Sequence, residues 1–323
     1  MSPNVSLIVI NYNGMAWIDD CLRSIMEQDR PAQEVVVVDN ASSDGSAERV
    51  ARQWPQVRLL QLSRNVGFAA ACNRGIKAAS GELVGILNND LILARDWLKA
   101  LLQEVRPPWD LWASRIVLAS QPARLDSAGD GMGVVGAAYK HGHGQPASQY
   151  SQSREVFSPC AAAALYRRSL LEKLGGFDED FFLIYEDADL GFRARLAGHR
   201  CYYAAGAEVR HRVNASIGRL SESYVYYGRR NSSYLFWKNM PWPLLLLYLP
   251  ERFLFECLAA GYFTLKGRGW TVLRAKFDVL RNFPALMRKR RKVQALRTVS
   301  AGRLRRQLTR NWLKGRLKPT GES

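Results

Sequence analysis

Between Val5 and Val105 the sequence switches four times between a short, mostly apolar run and a stretch with apolar residues at helical spacing. Val5–Ile10, Glu34–Asp39, Val57–Leu62 and Leu83–Leu87 read as strands. Trp17 to Met26, Asp44 to about Trp54, Ala69 to Ala79 and Arg95 to Val105 read as the helices that follow them. A parallel strand pair needs a crossover of a dozen residues or more, and these helices are of that length. The fold class expected is therefore α/β, with a mostly parallel sheet and crossover helices.

The polar residues fall at one edge of that sheet. Asn11, Asp39, Asn65 and Asp90 each stand just past the C-terminal end of a strand. Ligands of open α/β sheets bind in the crevice outside those ends. Turn chemistry explains any one of these residues, since Asn and Asp are favoured in turns; four at one edge point to a site.

Leu111 to Ala119 reads as a further strand. Residues 120–155 are rich in Gly, Ser, Gln and Pro and read as a long loop or a split subregion. Gly131-Met-Gly-Val-Val-Gly136 lies there. It matches Gly-x-Gly-x-x-Gly but lacks the strand before and the helix after that a dinucleotide site requires. His141 and His143 read as solvent-exposed, with no acid close in sequence. Ala161 to Tyr166 is a predicted strand, and Ser169 to Leu174 a short helix closed by Gly175-Gly176. Phe182-Leu-Ile-Tyr-Glu-Asp-Ala-Asp-Leu-Gly-Phe-Arg193 then places Glu186, Asp187 and Asp189 in the first turn of a helix. Acids are favoured there by the helix dipole alone; the functional alternative is that Asp187 takes a proton from a substrate hydroxyl. Arg200–Ala204 and Ala207–His211 read as two short strands, and a lone His211 reads more readily as a structural residue than as a ligand.

The charge of the chain is divided unevenly. Its formal net charge is +17, yet residues 1–265 hold 28 Lys and Arg against 27 Asp and Glu. Residues 266–323 hold 18 against 2, a balance of +16. The five cysteines are odd in number and form no Cys-x-x-Cys, which argues against a disulfide framework or a zinc site. Each reads as a small core residue, and no signal peptide is expected. Asn239 to Leu265 is apolar but interrupted by Glu251, Arg252 and Glu256. Its uncharged runs fall short of the roughly 20 residues of a spanning helix, so an interfacial segment is expected. Trp270, Leu273, Phe277 and Leu280 share one face of the next helix, ahead of the basic run Arg288–Lys292. A basic amphipathic helix beside a polybasic run is a lipid-surface signature.

Several motifs together carry a family resemblance. Val5-Ser-Leu-Ile-Val-Ile-Asn-Tyr-Asn-Gly14, Val38-Asp-Asn-Ala-Ser-Ser-Asp-Gly45 and Asn65-Val-Gly-Phe-Ala-Ala-Ala-Cys-Asn-Arg-Gly75 resemble the donor half of family 2 glycosyltransferases. Gly175-Gly-Phe-Asp-Glu-Asp-Phe-Phe182, Tyr185-Glu-Asp-Ala-Asp189 and Val209-Arg-His211 resemble its acceptor half, in the rhamnosyltransferase-like branch. The similarity spans roughly residues 4–235, and its motifs occur in the expected order. It implies a GT-A fold, inversion at the anomeric carbon and a divalent metal, Mg²⁺ or Mn²⁺. It implies a donor-binding half over 1–119, an acceptor and catalytic half over 120–235, and leaves 236–323 as a basic, membrane-associated helical region. Tyr12 and Asp39 would hold the nucleotide base, and Asn11, Asn65, Asn73 and Asn89 would help form the donor pocket. Asp90 and His211 would bind the metal, Asp187 would be the general base, and Glu186 would orient it or the acceptor. Asn88 departs from the family's commonest Asp-x-Asp form, which lowers the negative charge of the site.

The activity this implies is transfer of rhamnose or another hexose from a dTDP- or UDP-linked sugar to a hydroxyl of a lipid-linked or polysaccharide acceptor. A polyprenyl-diphosphate-linked glycan at the cytoplasmic face of an anionic membrane is the acceptor expected. Chemistry agrees: a departing diphosphate needs its charge neutralised, and a single displacement needs one base. A half-open site with a His ligand tilts toward Mn²⁺. Asp189 is expected to be structural. Arg229 or Arg230 would close over the diphosphate, or else be surface residues. A basic nucleic-acid-binding protein is the competing class, disfavoured because no aromatic platform or recognition motif accompanies the charge. A nucleotide-binding, non-catalytic subunit is a third.

Overall fold

A computed structural model describes residues 3–212 and 220–312. Its first part follows the expected alternation: β1 (Val5–Asn11), α1 (Ile18–Met26), β2 (Glu34–Asp39), α2 (Ser46–Gln53), β3 (Arg58–Gln61), α3 (Phe68–Ala78) and β4 (Leu83–Asn88). β1 pairs in parallel with β2 and β4, and β2 with β3. All seven residues of β1 are buried, because helices cover both faces. Gly75 on α3 is pressed so close to the sheet that a Cβ there would stand 2.3 Å from Ile8 Cγ2. α1 buries Ile18, Cys21, Leu22 and Ile25, the face its spacing predicts.

Beyond β4 the sheet becomes mixed. β5 (Leu91–Leu93), α4 (Trp97–Gln103), β6 (Trp109–Leu118), β7 (Gln121–Ser127), β8 (Asp130–Gly133), β9 (Ala138–Lys140), β10 (Arg154–Val156), β11 (Ala163–Arg167), α5 (Arg168–Leu174), α6 (Glu186–Leu196) and β12 (Arg200–His211) follow. The order in the ten-stranded sheet is β10-β12-β6-β11-β4-β1-β2-β3, with β5 on β12 and β7 on β6. β11 runs antiparallel to both its neighbours, β4 and β6. An apolar run buried on both faces looks the same in either direction, so the sequence cannot show this reversal. The two short strands expected over 200–211 are one strand, with a register shift between Ala204 and Glu208.

Of the two readings open for residues 120–155, a long loop or a split subregion, the structure has the second. These residues supply β7 to β10, and β8 and β9 form a second, small sheet. Gly131–Gly136 is β8 and the turn after it, which fits the exclusion of a dinucleotide site.

The C-terminal part is helical: α7 (Glu222–Asn239), α8 (Trp242–Leu265), α9 (Gly269–Arg281), α10 (Phe283–Ala295) and α11 (Ala301–Arg305), then β13 (Leu308–Thr309). β13 pairs with β8, so the tail returns to the body. A shared core that includes Met132, Phe181, Phe192, Phe236, Leu244 and Val293 joins these helices to α6 and the small sheet. Among the described residues no helix is long and apolar enough to cross a membrane. The last basic residues, 313–323, lie outside the described residues. Four cysteines are buried as expected; Cys257 is exposed on α8.

Candidate functional site

The strand ends of β1, β2 and β4 meet in one buried polar cluster. Asn11 Nδ2 donates to Asp39 Oδ1 at 2.7 Å and Ser46 Oγ at 2.8 Å, while Asn11 Oδ1 accepts from Asn89 Nδ2 at 2.8 Å. Asp39 also accepts from the backbone N–H of Ser42 and from its hydroxyl. Gly14 passes directly over this cluster: a Cβ would lie 2.1 Å from Asn89 Nδ2 and 2.3 Å from Asn11 Oδ1. The loop after β1 is pinned to the loop after β2, through Asn13 to Ser42 and Ser43 and through Met15 to Asp44. Tyr12 stands on that pinned loop with its ring half in solvent. Asn65 Oδ1 accepts from Asn40 Nδ2 and the Gly67 N–H, which shapes the turn into α3.

Past β4, Asp90 meets His211 from the end of β12. The strand pairing of β5 with β12 sets His211 opposite Leu91. His211 Nε2 stands 3.3 Å from Asp90 Oδ1, yet that buried oxygen has no hydrogen-bond partner. His211 Nδ1 lies 2.9 Å from Asp126 Oδ2. Asp126 is fully buried, and Lys140 Nζ sits 2.8 Å from each of its oxygens, with His143 Nδ1 3.1 Å away. Burial alone would raise the Asp126 carboxyl, but Lys140 and the two imidazoles hold it well below the usual range. For His211 burial acts downward, and the Asp126 and Asp90 carboxylates outweigh it, raising the imidazole to about 9. His143, expected in solvent without an acid, is thus part of the site. An ordered acid, an orphaned oxygen, and an imidazole fixed by a carboxylate behind it suit a divalent cation. Asp90 Oδ1 and His211 Nε2, 3.3 Å apart, are the atoms that would take it, the cation replacing the proton of the imidazolium.

Asp187 lies close by. Its Oδ2 accepts from the Ala161 N–H at 3.0 Å, and its Oδ1 from the Ala188 N–H at 2.7 Å. One residue on, the Ala162 carbonyl accepts from the Asn88 N–H, so Asp187 is hung beside the turn that carries Asp90. Asp130, Cys160 and Asp187 bring ligand atoms within 4.8 Å of one another. Burial raises the carboxyls of Glu186, Asp130 and Asp187. Glu186 Oε2 has no partner, and Asp130 has a neighbouring anion, so both are pushed well up. Asp187 alone accepts two backbone N–H groups with Lys140 nearby, and its rise is the smaller. Of the three it is the one whose carboxylate form is best supported by hydrogen bonds.

The chain enters α6 through a strained segment. Phe182, Ile184 and Tyr185 have φ of 59°, 67° and 75°, costly for residues with a Cβ. Asn231 of α7 holds it in place: its Nδ2 lies 2.7–2.8 Å from the carbonyls of Phe181, Leu183 and Ile184. Arg230 reaches the Asp180 carbonyl beside it. Asp189 faces away, buried against Arg193, Lys238 and Asn239, which is the structural role expected of it.

Two expected site residues are occupied elsewhere. Asn73 bonds both the N–H and the carbonyl of Phe177, and also Glu179. It ties α3 to the segment before α6 and leaves no donor for a ligand. Arg229 is buried, paired with Glu256 and laid over the Phe255 ring. Its place over a diphosphate is replaced by a place in the helical core, because position 229 lies on the inner face of α7. Asp126, Lys140 and Asn231 were not legible as site residues. The first two fall in the stretch that looks like a loop, and all three act on partners remote in sequence.

The model of Glycosyl transferase family 2 matches residues 6–175, and that of Glycosyl transferase family group 2 matches residues 134–270. The chain belongs to glycosyl transferase family 2, the nucleotide-sugar-dependent glycosyltransferases. This glycosyltransferase is 30% identical over 229 residues to the O-antigen biosynthesis protein RfbC of Myxococcus xanthus, covering 67% of the chain but only 18% of that protein. It is 26% identical over 270 residues to the N-acetylglucosaminyl-diphospho-decaprenol L-rhamnosyltransferase of Mycobacterium tuberculosis, covering 73% of the chain and 84% of the relative. Its fold matches the mannosyltransferase PcManGT of Pyrobaculum calidifontis, solved with GDP-Man and Mn²⁺, with a TM-score of 0.55 at 22% identity, over 88% of this chain and 76% of that one. It also matches TarS of S. aureus, solved with UDP-GlcNAc, with a TM-score of 0.51 at 23% identity, over 73% and 67%. These likenesses establish a GT-A-type fold with a mixed, mostly parallel sheet and added C-terminal helices.

Proposed function

We propose that this family 2 glycosyltransferase moves a hexose, rhamnose or another, from a dTDP- or UDP-linked donor to a hydroxyl of a lipid-linked glycan, with inversion. The observation that carries this is the position of Asp187, whose carboxylate accepts from the Ala161 and Ala188 N–H groups beside the Asn88–Asp90 turn. In the reaction the acceptor oxygen attacks the anomeric carbon, its proton passes to Asp187, and the bond to the donor phosphate breaks with its electron pair on the diphosphate. Asp90 and His211 would hold Mg²⁺ or Mn²⁺, which neutralises charge on a departing diphosphate. Tyr12 is free to stack on the base. Asp39 and Asn11, tied to one another, shape the floor beneath it, with Asn65 and Asn89 at its sides. The functional division is a donor half over 1–119, an acceptor half over 120–235 and a membrane-associated region over 236–323.

A polyprenyl-diphosphate-linked acceptor is supported by the name of the mycobacterial relative and by the outer face of the C-terminal helices. Phe253 on α8 is 71% exposed, and Trp270 and Phe277 on α9 are 77% and 63% exposed. α9 buries Thr271, Val272, Ala275 and Val279 and turns its larger apolar side chains outward. That inversion, beside a balance of +16, suits peripheral attachment to the cytoplasmic face of an anionic membrane. Among the described residues, the aromatic pair on α8, Tyr262 and Phe263, meets edge to face and not as a stacked platform.

Two measurements follow. Thermal unfolding with a panel of nucleotide-sugars and Mn²⁺ should show one donor raising the midpoint by mass action. If no donor shifts it with metal present, the transferase reading fails and the nucleotide-binding alternative fails with it. Asp126→Asn keeps the shape behind His211 but removes its charge. Loss of such a partner costs about 10–100-fold in metal affinity. Mn²⁺ affinity, read by electron paramagnetic resonance, should fall by that order; an unchanged value would assign Asp126 to structure alone.

A further inference from the structure

Between the start of α8 and α10 lies a cavity of about 430 Å³, remote in sequence from every residue of the crevice. Trp242, Pro243 and Met287 form its apolar walls, and Arg290, Arg291 and Arg297 its cationic lining; no carboxylate lines it. Arg290 is 4% exposed. Its Nη1 donates to the carbonyls of Trp237 and Met240 at 2.7 Å, which closes the end of α7. Its guanidinium lies 4.3 Å from the centroid of the Trp242 ring. Its Nη2 is buried and has no hydrogen-bond partner. A guanidinium nitrogen buried without a partner is costly, and a planar fork of donors suits a phosphate or carboxylate group, while three guanidinium groups together favour the more highly charged phosphate. Burial and the neighbouring Arg297 together lower Arg290 to about 10, the mark of cations crowded without a counter-charge.

We propose that this cavity is a binding site for the phosphate of a membrane lipid, with Arg290 at its floor and Arg291 and Arg297 at its rim. The apolar walls decide for a lipid over a free anion. Trp242 begins a stripe that continues along α8 through Leu246, Leu249 and Phe253, all exposed and one helical face apart. A phosphate seated on Arg290 leaves its hydrocarbon on that stripe. The site deepens the peripheral attachment proposed above by giving it a defined headgroup pocket.

Monomeric dihexanoyl phosphatidic acid, dihexanoyl phosphatidylcholine and inorganic phosphate distinguish the sources, titrated calorimetrically into the full chain. Phosphatidic acid should bind at least tenfold tighter than inorganic phosphate. Arg291→Gln combined with Arg297→Gln, two exposed positions, should weaken it at least tenfold without altering the unfolding midpoint. Arg290→Lys should weaken it too, with the fold checked by the same midpoint. Equal affinity for inorganic phosphate and the lipid, an unaffected double variant, or no binding at all would overturn the proposal. Flotation with phosphatidylglycerol vesicles separates the two readings: flotation without short-chain lipid binding sinks the pocket alone. Short-chain binding without flotation sustains the pocket and sinks the attachment.

Discussion

Asp187→Asn should lower sugar transfer by about 10²–10⁴-fold, the range typical of a lost general base. The variant keeps the volume of the side chain and one oxygen to accept the Ala161 N–H, so the fold should survive at a cost of about 1–2 kcal/mol. Donor affinity, read from the shift in unfolding midpoint, should stay within about twofold, because Asp187 meets the acceptor and not the nucleotide. The wild-type rate should fall with acid, since only the ionised carboxylate accepts a proton. Burial places the Asp187 carboxyl above its ordinary 3.8, so the acid limb should lie higher than that of an exposed aspartate. In the Asn variant that limb should disappear. A variant that retains a third of the turnover, with the limb intact, would leave Asp187 as a helix-capping residue.

Asp90→Ala should remove metal-dependent transfer while donor-independent stability changes little. A metal that neutralises a leaving diphosphate contributes several kcal/mol to the transition state. At about 1.4 kcal/mol per tenfold, the rate should drop by roughly 10²–10³-fold or more. His211 stays held by Asp126 in this variant, so a local collapse is not the expected cause. What the variant loses is the 3.3 Å contact of Asp90 Oδ1 with the His211 imidazolium, so His211 should titrate lower while its ring stays in place. Midpoint measurements should therefore show a folded protein whose unfolding no longer responds to Mn²⁺ plus donor. Chelator-sensitive transfer at the wild-type rate would place the cation elsewhere, and the acid cluster of Asp130 and Asp187 would be the next position to test.

The first hundred residues were legible because each local choice there points the same way. The runs of β1, β2 and β4 are buried on both faces, the helices show one apolar stripe, and the polar residues fall at strand ends. Asn11, Asp39 and Asp90 could be placed at one edge from that pattern alone, before any contact was known. The acids of α6 were legible as a first helical turn, and their motif carried the resemblance. Which of them is held by backbone N–H groups was not, because that depends on the Ala161 N–H, 26 residues away.

The tertiary structure alone decided the rest. Asp126 looks like one polar residue in a Gly- and Ser-rich stretch. Its role comes from Lys140, His143 and His211, respectively 14, 17 and 85 residues along the chain. No window of sequence holds such a set. Asn73 and Arg229 show the opposite limit: each has the right chemistry and motif position for a ligand, and each is consumed by a protein partner. The tail was legible in its charge and in its apolar face, but not in the packing beneath that face. Periodicity marks Trp270, Leu273, Phe277 and Leu280 as one face, expected toward a lipid surface, and all four are exposed although ordinary burial would turn such a face inward. Packing of α9 against α7 and α8 selects Val272, Ala275 and Val279 instead, because smaller side chains let the helices approach. Composition and periodicity thus determined the layers and the edge where chemistry sits. Long-range pairing of buried polar groups, which no local propensity encodes, determined which side chains are free to act.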